Sequence, residues 1–449
     1  MSNYLFNEFK KVSAAEWKQK IQVALKGADY NNTLLWKTDE GIIVKPFYTK
    51  EDQTHSEVNT PKKGFTICQS IYIEDTEKAN IFAIDSLERG AKAIEFKAKK
   101  IFNYKILLKN INSKNITFYF NLKFLDADFI IKLATFINTK KCYFNIDLIG
   151  NLATTGNWFN PTNNGIKELK KIVTKVDNTI CINTSIYQNA GANYTQQLAY
   201  TLAHANEYLN YFGNKIANQI HFNFSVGSNY FFEIAKLRAF RILWDALLNE
   251  YDIKNNKAHI FVQPSLRNKT LYDYNVNMLR TTSECMSAIL GGANTVSNIS
   301  YDDFFHFPNE FGERIARNQL LILQQESGFS DAQNFADGTY YIEAITQQLA
   351  QNALVIFKTI EKGGGFLKQL KEGIIQRKIR ESAAKEEAKF NAGSLVLVGS
   401  NKIQNEKDII KNNLSLFPFI RIRNEKTLIQ PIIQKRLAEE LEQKRLENE

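Results

Sequence analysis

Between residues 65 and 327, short β-rich runs alternate with longer runs of helical period, and this alternation restricts the fold more than any other feature. The strand candidates are FTICQSIYI (65–73), AIEFKA (93–98), ITFYFN (116–121), CYFNIDLIG (142–150), TICINTSIY (179–187), IHFNFSVG (220–227), HIFVQPS (259–265) and NTVSNIS (294–300). They are short and rich in the Ile, Phe, Val, Tyr and Thr that strands favour. Helical patterns lie between most of them, at 77–90, 126–139, 164–176, 193–212, 229–250, 270–290 and 309–327. KKIFNYKILLKNINSK, after the second strand, reads equally as helix or strand. Eight β-α steps over about 260 residues suit a (β/α)8 barrel. A doubly wound sheet would carry a Gly-rich turn after an early strand, and no such motif occurs. EKGGGFL (361–367) follows a helix and reads as a C-cap and turn. The expected fold is therefore α/β: a (β/α)8 TIM barrel over 65–330, an N-terminal arm over 1–64, and a helical extension with a charged tail over 331–449.

The flanks are thinner. SAAEWKQKIQVALKG predicts one helix, opened by Ser13 with Glu16 three residues on, the spacing of a capping box. With the extended EGIIVKPFY it has too few apolar residues for its own core, so the arm is expected to drape over the barrel or a partner. QKRLAEELEQKRLENE at the other end reads as an exposed charged helix or a frayed end. The net charge of +10 is dispersed in small clusters such as KAKK (97–100), KELKK (167–171) and QRKIR (376–380). Solvated helix faces explain it, and a nucleic-acid interface would want a gathered patch. No apolar run approaches the ~18–20 residues of a membrane span, and the start lacks a secretory apolar core. Cys68, Cys142, Cys181 and Cys285 stand singly in apolar segments. They predict buried free thiols and a cytoplasmic setting.

Motifs with strong spacing signals are missing. None of His55, His204, His221, His259 and His306 sits in a metal-ligand spacing, and there is no GxSxG elbow. His221 and His259 open strands, so they belong at the N-terminal end of a barrel, away from where barrel enzymes work. The C-terminal strand ends offer amides and hydroxyls, among them Gln188, Asn189, Asn229 and Gln263, with the adjacent Asp302 and Asp303 after the last strand. General acid–base chemistry wants a tuned His, carboxylate or Lys. The reading is of a polar, largely uncharged mouth, fit for ligand binding or left from a lost site. NYFFEIAKLRAFRILWDALL (229–248) reads as an amphipathic helix that carries Glu233, Lys236, Arg238 and Arg241 among large apolar residues.

GSNYFFEIAKLRAFRILW, NVNMLRTTSECMSAILGGANTV, PNEFGERIARNQLLILQQESGF, DGTYYIEAITQQLAQNA and GGGFLKQLKEGIIQRKIRESAA follow one another in the order found in the adenosylcobalamin-dependent methylmalonyl-CoA mutase family, which this chain resembles. The N-terminal LFNEFKKVSAAEW…LKGADY…LWKTDEGIIVKPFYTKED is similar to the small subunit of the heterodimeric members. The resemblance implies a complex that interconverts methylmalonyl-CoA and succinyl-CoA, in which this chain partners a catalytic large subunit. The family's cobalamin domain is marked by DxHxxG, which occurs at none of the five histidines, and only about 50 residues follow VLVGSNK (396–402). The expectation is that this chain binds no cofactor and that adenosylcobalamin sits in the large subunit.

Aligning Gln188–Ala192 with the family's QEAGA-like turn puts Ser185 and Ile186 on its Tyr-His pair. The His, Ser, Gln pattern of the seventh strand falls on Phe261, Val262 and Gln263. The Asn and Glu that face the cofactor ribose become Ile299 and Asp303. GNLATTGNWFNP stands where GTxQND is expected, and KPFYTKED where the active-site tyrosine segment would be. The resemblance thus implies no catalytic residue and no metal, with Gln188, Asn229, Gln263 and Asp303 as retained lumen candidates. No nucleic acid or membrane is expected as partner. Two other readings stay open: an active acyl-CoA mutase barrel served by a separate cobalamin-binding chain, and a basic RNA- or ligand-binding barrel.

Overall fold

Successive side chains on a strand point to opposite faces, and in this chain the two faces differ sharply in chemistry. The computed structural model describes residues 8–449 except 54–57, 63, 160–164, 255, 332–333 and 422–424. The first seven residues and His55 therefore lie outside the described residues. Eight parallel strands form one sheet: β1 (Thr66–Tyr72), β2 (Ala93–Ala98), β3 (Thr117–Leu122), β4 (Cys142–Phe144), β5 (Ile180–Asn183), β6 (Ile220–Val226), β7 (Ile260–Pro264) and β8 (Thr295–Ser297). Their order is β4-β3-β2-β1-β8-β7-β6-β5. The ends meet through an Ile146–Ile180 bridge, with the Cys181 amide donating to the Ile146 carbonyl at 3.1 Å. The result is a nearly closed (β/α)8 TIM barrel, as the alternation predicted.

On the outer face Ile67, Ile94, Phe96, Phe118, Phe120, Phe144, Ile182, Phe222, Phe224 and Val262 join the main core beneath the helices. Helix α1 (Ala14–Ala24) stands apart, and the helices around the barrel are α2 (Thr76–Glu88), α3 (Ala127–Ile137), α4 (Leu148–Thr155), α5 (Gly165–Val173), α6 (Ser185–Asn189), α7 (Tyr194–Phe212), α8 (Tyr230–Glu250), α9 (Val276–Leu290) and α10 (Glu310–Gln325). The inner face carries Ser70, Glu95, Asn121, Asn145, Asn183, Asn223, Gln263 and Ser297, above a separate small cluster of Cys68, Ala93, Tyr119 and Phe261. All four cysteines are buried free thiols.

Three strand expectations were too long, and of the run 294–300 only Thr295–Ser297 is strand. β4 stops at Phe144 because the Asp147 carboxylate accepts from the Gly150 amide at 2.8 Å and starts α4 inside the run 142–150. β5 stops at Asn183, whose side chain accepts from the Ser185 amide and turns the chain into α6. The ambiguous 99–114 is mostly irregular, with a single turn, Tyr104–Leu107, capped by Asn103.

In the arm the Ser13–Glu16 capping box closes, with the Ser13 amide donating to Glu16 at 2.8 Å and the Glu16 amide to Ser13 Oγ at 3.2 Å. No residue of α1 is buried. The following hairpin, Trp36–Lys37 with Ile43–Val44, does drape on the barrel side: Asn193 donates to the Asp39 carbonyl and Asn352 to the Glu40 carbonyl. After α10 come α11 (Tyr340–Lys362), α12 (Phe366–Lys371) and α13 (Ile374–Asn391). The turn between α11 and α12 needs Gly364 and Gly365, at φ of 101° and 92°.

The tail departs from expectation. Residues 428–442 cross the C-terminal face of the barrel, with Leu428 donating to the Gly156 carbonyl, Ile432 to Ala153, Lys435 to Asn189 and Leu437 to Arg267, at 2.7–3.0 Å. Arg436 is buried, pairs with Glu442, and lies 4.3 Å over the Phe304 ring. Glu442 accepts from the Leu271 amide at 2.7 Å, and α14 (Glu439–Glu447) ends the chain. A charge-rich segment reads as solvated until its charges find each other, and here Arg436 and Glu442 do so in a buried pair.

Candidate functional site

Helix α8 is buried nearly all round, because β6 lies on one side and α7, α9 and α11 pack on the others. The amphipathic reading is corrected by its ionic residues, which face inward. Glu233 and Lys236 are both 0% exposed and lie 2.5 Å apart. Lys236 also donates to the Ser225 carbonyl at 2.7 Å, Gln197 at 3.0 Å and Gln188 at 3.1 Å. Burial lowers the Lys236 pKa, while Glu233 opposes the shift. Arg238 reaches Asp337, and Arg241 donates to the Ala258 and Gly292 carbonyls. These are structural placements, each charge answered within the fold.

Gln188 and Asn229 therefore line a cavity of about 340 Å³ outside the lumen, beside Glu233, Arg267, Glu386 and the Trp36 hairpin. Gln188 spans the buried pair, donating to Glu233 at 3.2 Å. Gln263 lies elsewhere, inside the barrel, and Asp303 lies past the end of β8 within electrostatic reach of Lys97. Gln263 donates to Ser70 Oγ at 3.1 Å and Glu95 at 3.3 Å. Glu95 is 0% exposed and also accepts from Ser70 at 2.6 Å and Asn121 at 3.4 Å, with the Lys97 ammonium at 3.4 Å. Ser70 meets Ser297 at 3.1 Å. Burial disfavours the Lys97 charge, but Glu95, Tyr72 and Asp303 more than reverse it and hold its pKa above the ordinary value. Asp303 is pushed up by burial against the pull of Lys97.

The mouth is thus not the uncharged surface expected from strands five to eight. Glu95 and Lys97 come from β2, where the alternation of AIEFKA sets them on the face of Ala93. That signal was present in the sequence.

Beneath this network the axis is filled. Phe261 packs against Tyr119 with tilted rings at 4.8 Å between ring centres, and Tyr143 stacks on His259 at 4.2 Å. His259 bonds the Tyr119 hydroxyl at 2.7 Å and the Tyr143 hydroxyl at 3.3 Å, while Tyr119 also meets Thr295 at 2.8 Å. Burial, helped by Arg241, lowers the His259 pKa to about 3, so the ring is neutral. His221 is buried beside it and bonds Asn145 at 3.0 Å.

On the other side of the lumen lies a cavity of about 460 Å³, lined by Asn121, Asn145, Asn183, Asn223, Cys181 and Ile186, with Lys99 and Lys123 also contributing. Ile186 closes one wall, and the Ser185 hydroxyl is turned to Asn183 at 2.5 Å. Asp147 is occupied at its edge by His204 at 2.9 Å, Tyr208 at 3.0 Å and the Gly150 amide. The other ring nitrogen of His204 meets Tyr187 at 2.9 Å. Ile299 is half-buried just past β8 and touches neither cavity lining. Seven of the eight candidates hence divide among three places, the Glu233–Lys236 wall, the Glu95 network with its aromatic floor, and the asparagine-lined cavity, while Ile299 belongs to none of them.

A cobalt-ligating imidazole has to present a free ring nitrogen at the surface. Among the described residues none does: both nitrogens of His204, His259 and His306 are engaged, and His221 is 1% exposed in the floor. The residues present do not fit that group. Nor do three or more His, Cys, Asp or Glu of the described residues gather as a metal site. No helix among them is long and apolar enough to cross a membrane.

A family model described as Methylmalonyl-CoA mutase matches residues 141–444. Methylmalonyl-CoA mutase small subunit of Porphyromonas gingivalis is 31% identical over 489 positions, covering 99% of this chain and 78% of that protein. Methylmalonyl-CoA mutase of Cereibacter sphaeroides is 28% identical, covering 87% of this chain and 64% of its own length. The mitochondrial Methylmalonyl-CoA mutase of Homo sapiens is also 28% identical, over 88% of this chain and 61% of its own length. The chain thus spans less than two thirds of these last two relatives.

Proposed function

The chain belongs to the methylmalonyl-CoA mutase family, and from that premise we propose that it is the non-catalytic small subunit of a heterodimeric, cobalamin-dependent mutase. The observation that carries this reading is the tail. Residues 428–442 lie over the strand ends where a barrel enzyme works, held there by five backbone hydrogen bonds and the buried Arg436–Glu442 pair. The aromatic floor supports it too, since a long CoA ester threading the axis would have to displace Tyr119, Tyr143 and Phe261. On this reading the large subunit holds adenosylcobalamin and carries out the interconversion of methylmalonyl-CoA and succinyl-CoA. Residues 65–330 form the barrel domain, 1–64 the arm and 331–449 the extension, and the complex works in the cytoplasm.

The arm is the contact surface. Helix α1 has a closed capping box yet buries nothing, with Trp17 51% exposed. Eleven residues of helix are marginal alone in water, so α1 gains its stability against another surface. The large subunit supplies it and is stabilised in return. The test is to mix the purified chain with the large subunit, and to follow the assembly by light scattering and each component by thermal melting. A one-to-one complex with raised melting points is expected. A stable monomer with no affinity for the large subunit would overturn the proposal.

A further inference from the structure

Four successive barrel strands share one pattern, an asparagine after an aromatic or aliphatic residue: FYFN (118–121), CYFN (142–145), ICIN (180–183) and IHFN (220–223). In each, the aromatic or aliphatic residue before the asparagine faces the helices and the asparagine faces the lumen. Asn183 and Asn223 are register partners. Asn121 and Asn145 directly follow the paired Phe120 and Phe144. An arc of four carboxamides therefore stands at one level of the barrel wall, lining the 460 Å³ cavity. Such a volume lies in the range of small-molecule sites.

The arc is only partly absorbed by the fold: Asn121, Asn145 and Asn183 each meet a protein partner, and the Asn223 acceptor does not. Asn223 is only 7% exposed, and its Oδ1 has no hydrogen-bond partner among the described residues. A buried acceptor without a donor is costly, so this atom calls for a ligand that brings an O–H or N–H. Lys99 and Lys123 add two positive charges, and the Asp147 carboxylate is already held by His204, Tyr208 and the Gly150 amide. The cavity's unspent electrostatics therefore favour an anion. The floor of Tyr119, Tyr143, His259 and Phe261 limits the depth, so no long chain passes through.

We propose that this half of the lumen binds a small hydroxylated anion, its hydroxyls among Asn121, Asn145, Asn183 and Asn223 and its charge at Lys99 and Lys123. The site is separate from any mutase chemistry, and its failure would leave the subunit assignment untouched. Carboxylate and phosphate share this chemistry, and the probes separate them.

The experiment is calorimetric titration of the full-length protein with L-malate, glycerol 3-phosphate, succinate and glycerol. At least one hydroxylated anion should bind with a Kd of about 1 mM or tighter, and succinate and glycerol should bind at least about tenfold more weakly. Asn223→Leu removes the orphaned acceptor and Lys123→Met a rim charge, and each should weaken binding about tenfold or more. If Asn223→Leu does not fold, Lys123→Met decides alone. No binding of either hydroxylated anion up to about 10 mM would overturn the proposal, as would unchanged affinity in the folded variants.

Discussion

The two sides of the lumen are built on adjoining strands of one sheet and have opposite character. Under β1, β2, β7 and β8 the polar groups answer one another: Ser70, Ser297, Gln263 and Lys97 all converge on Glu95 or its neighbours. Under β3 to β6 four asparagines line a space of about 460 Å³, and one buried acceptor among them is left without a protein partner. The first arrangement is a packed core made of polar atoms. The second is a wall facing a hole. Polarity alone therefore does not mark a site; what separates the two is whether the hydrogen-bonding capacity is consumed inside the fold.

That difference is open to attack by substitution, and the largest effect is expected just outside the lumen, where the ion pair is driest. Lys236→Met leaves Glu233 buried without its cation, and should destabilise the fold by about 3–5 kcal/mol in urea unfolding. On the closed side, Glu95→Gln removes the charge that holds Lys97, at an expected cost of about 2–3 kcal/mol by the same measurement. On the open side, Asn223→Leu removes a polar group that nothing answers, so stability should change by less than about 1 kcal/mol or rise. An Asn223→Leu loss as large as that of Glu95→Gln would erase the distinction.

The floor beneath both sides gives a subtler, pH-dependent effect. In the fold His259 has a pKa of about 3, below the ordinary histidine value of 6.5. Between those values the unfolded chain binds a proton that the folded chain does not. Stability should therefore be full above pH 6.5 and fall as the pH drops toward 3. Replacing His259 by Gln should flatten that part of a pH series of melting temperatures. An unchanged slope would mean that other groups set it.

Much of this was legible in the sequence. The β/α alternation specified the barrel, and Ser13 with Glu16 specified the start of α1, because periodicity and capping are local. The strand runs 142–150 and 179–187 were overextended because Asp147 and Asn183 end their strands through side-chain hydrogen bonds that hydrophobic patterning does not register. The burial of Glu233, Lys236, Arg436 and Glu442 was not legible, since each needs a partner or a packed neighbour fixed by tertiary structure. Glu95, Lys97 and the four asparagines were legible in principle, because strand parity puts them on the inner face, but parity does not say which of them the fold pairs and which it leaves facing a cavity. Of the residues expected to mark a former site, Gln188 and Asn229 stand outside the lumen and Gln263 inside it, a separation that one-dimensional alignment cannot express.

The central claim is that the charged groups inside this barrel hold the fold and do no chemistry. On the proposed assignment, its most direct test is the turnover number of the complex with the large subunit, measured with wild-type chain and with Glu95→Gln chain after each complex has been isolated intact. The account predicts the same turnover per complex, with only the melting temperature lowered. A loss of turnover in an intact Glu95→Gln complex would contradict it.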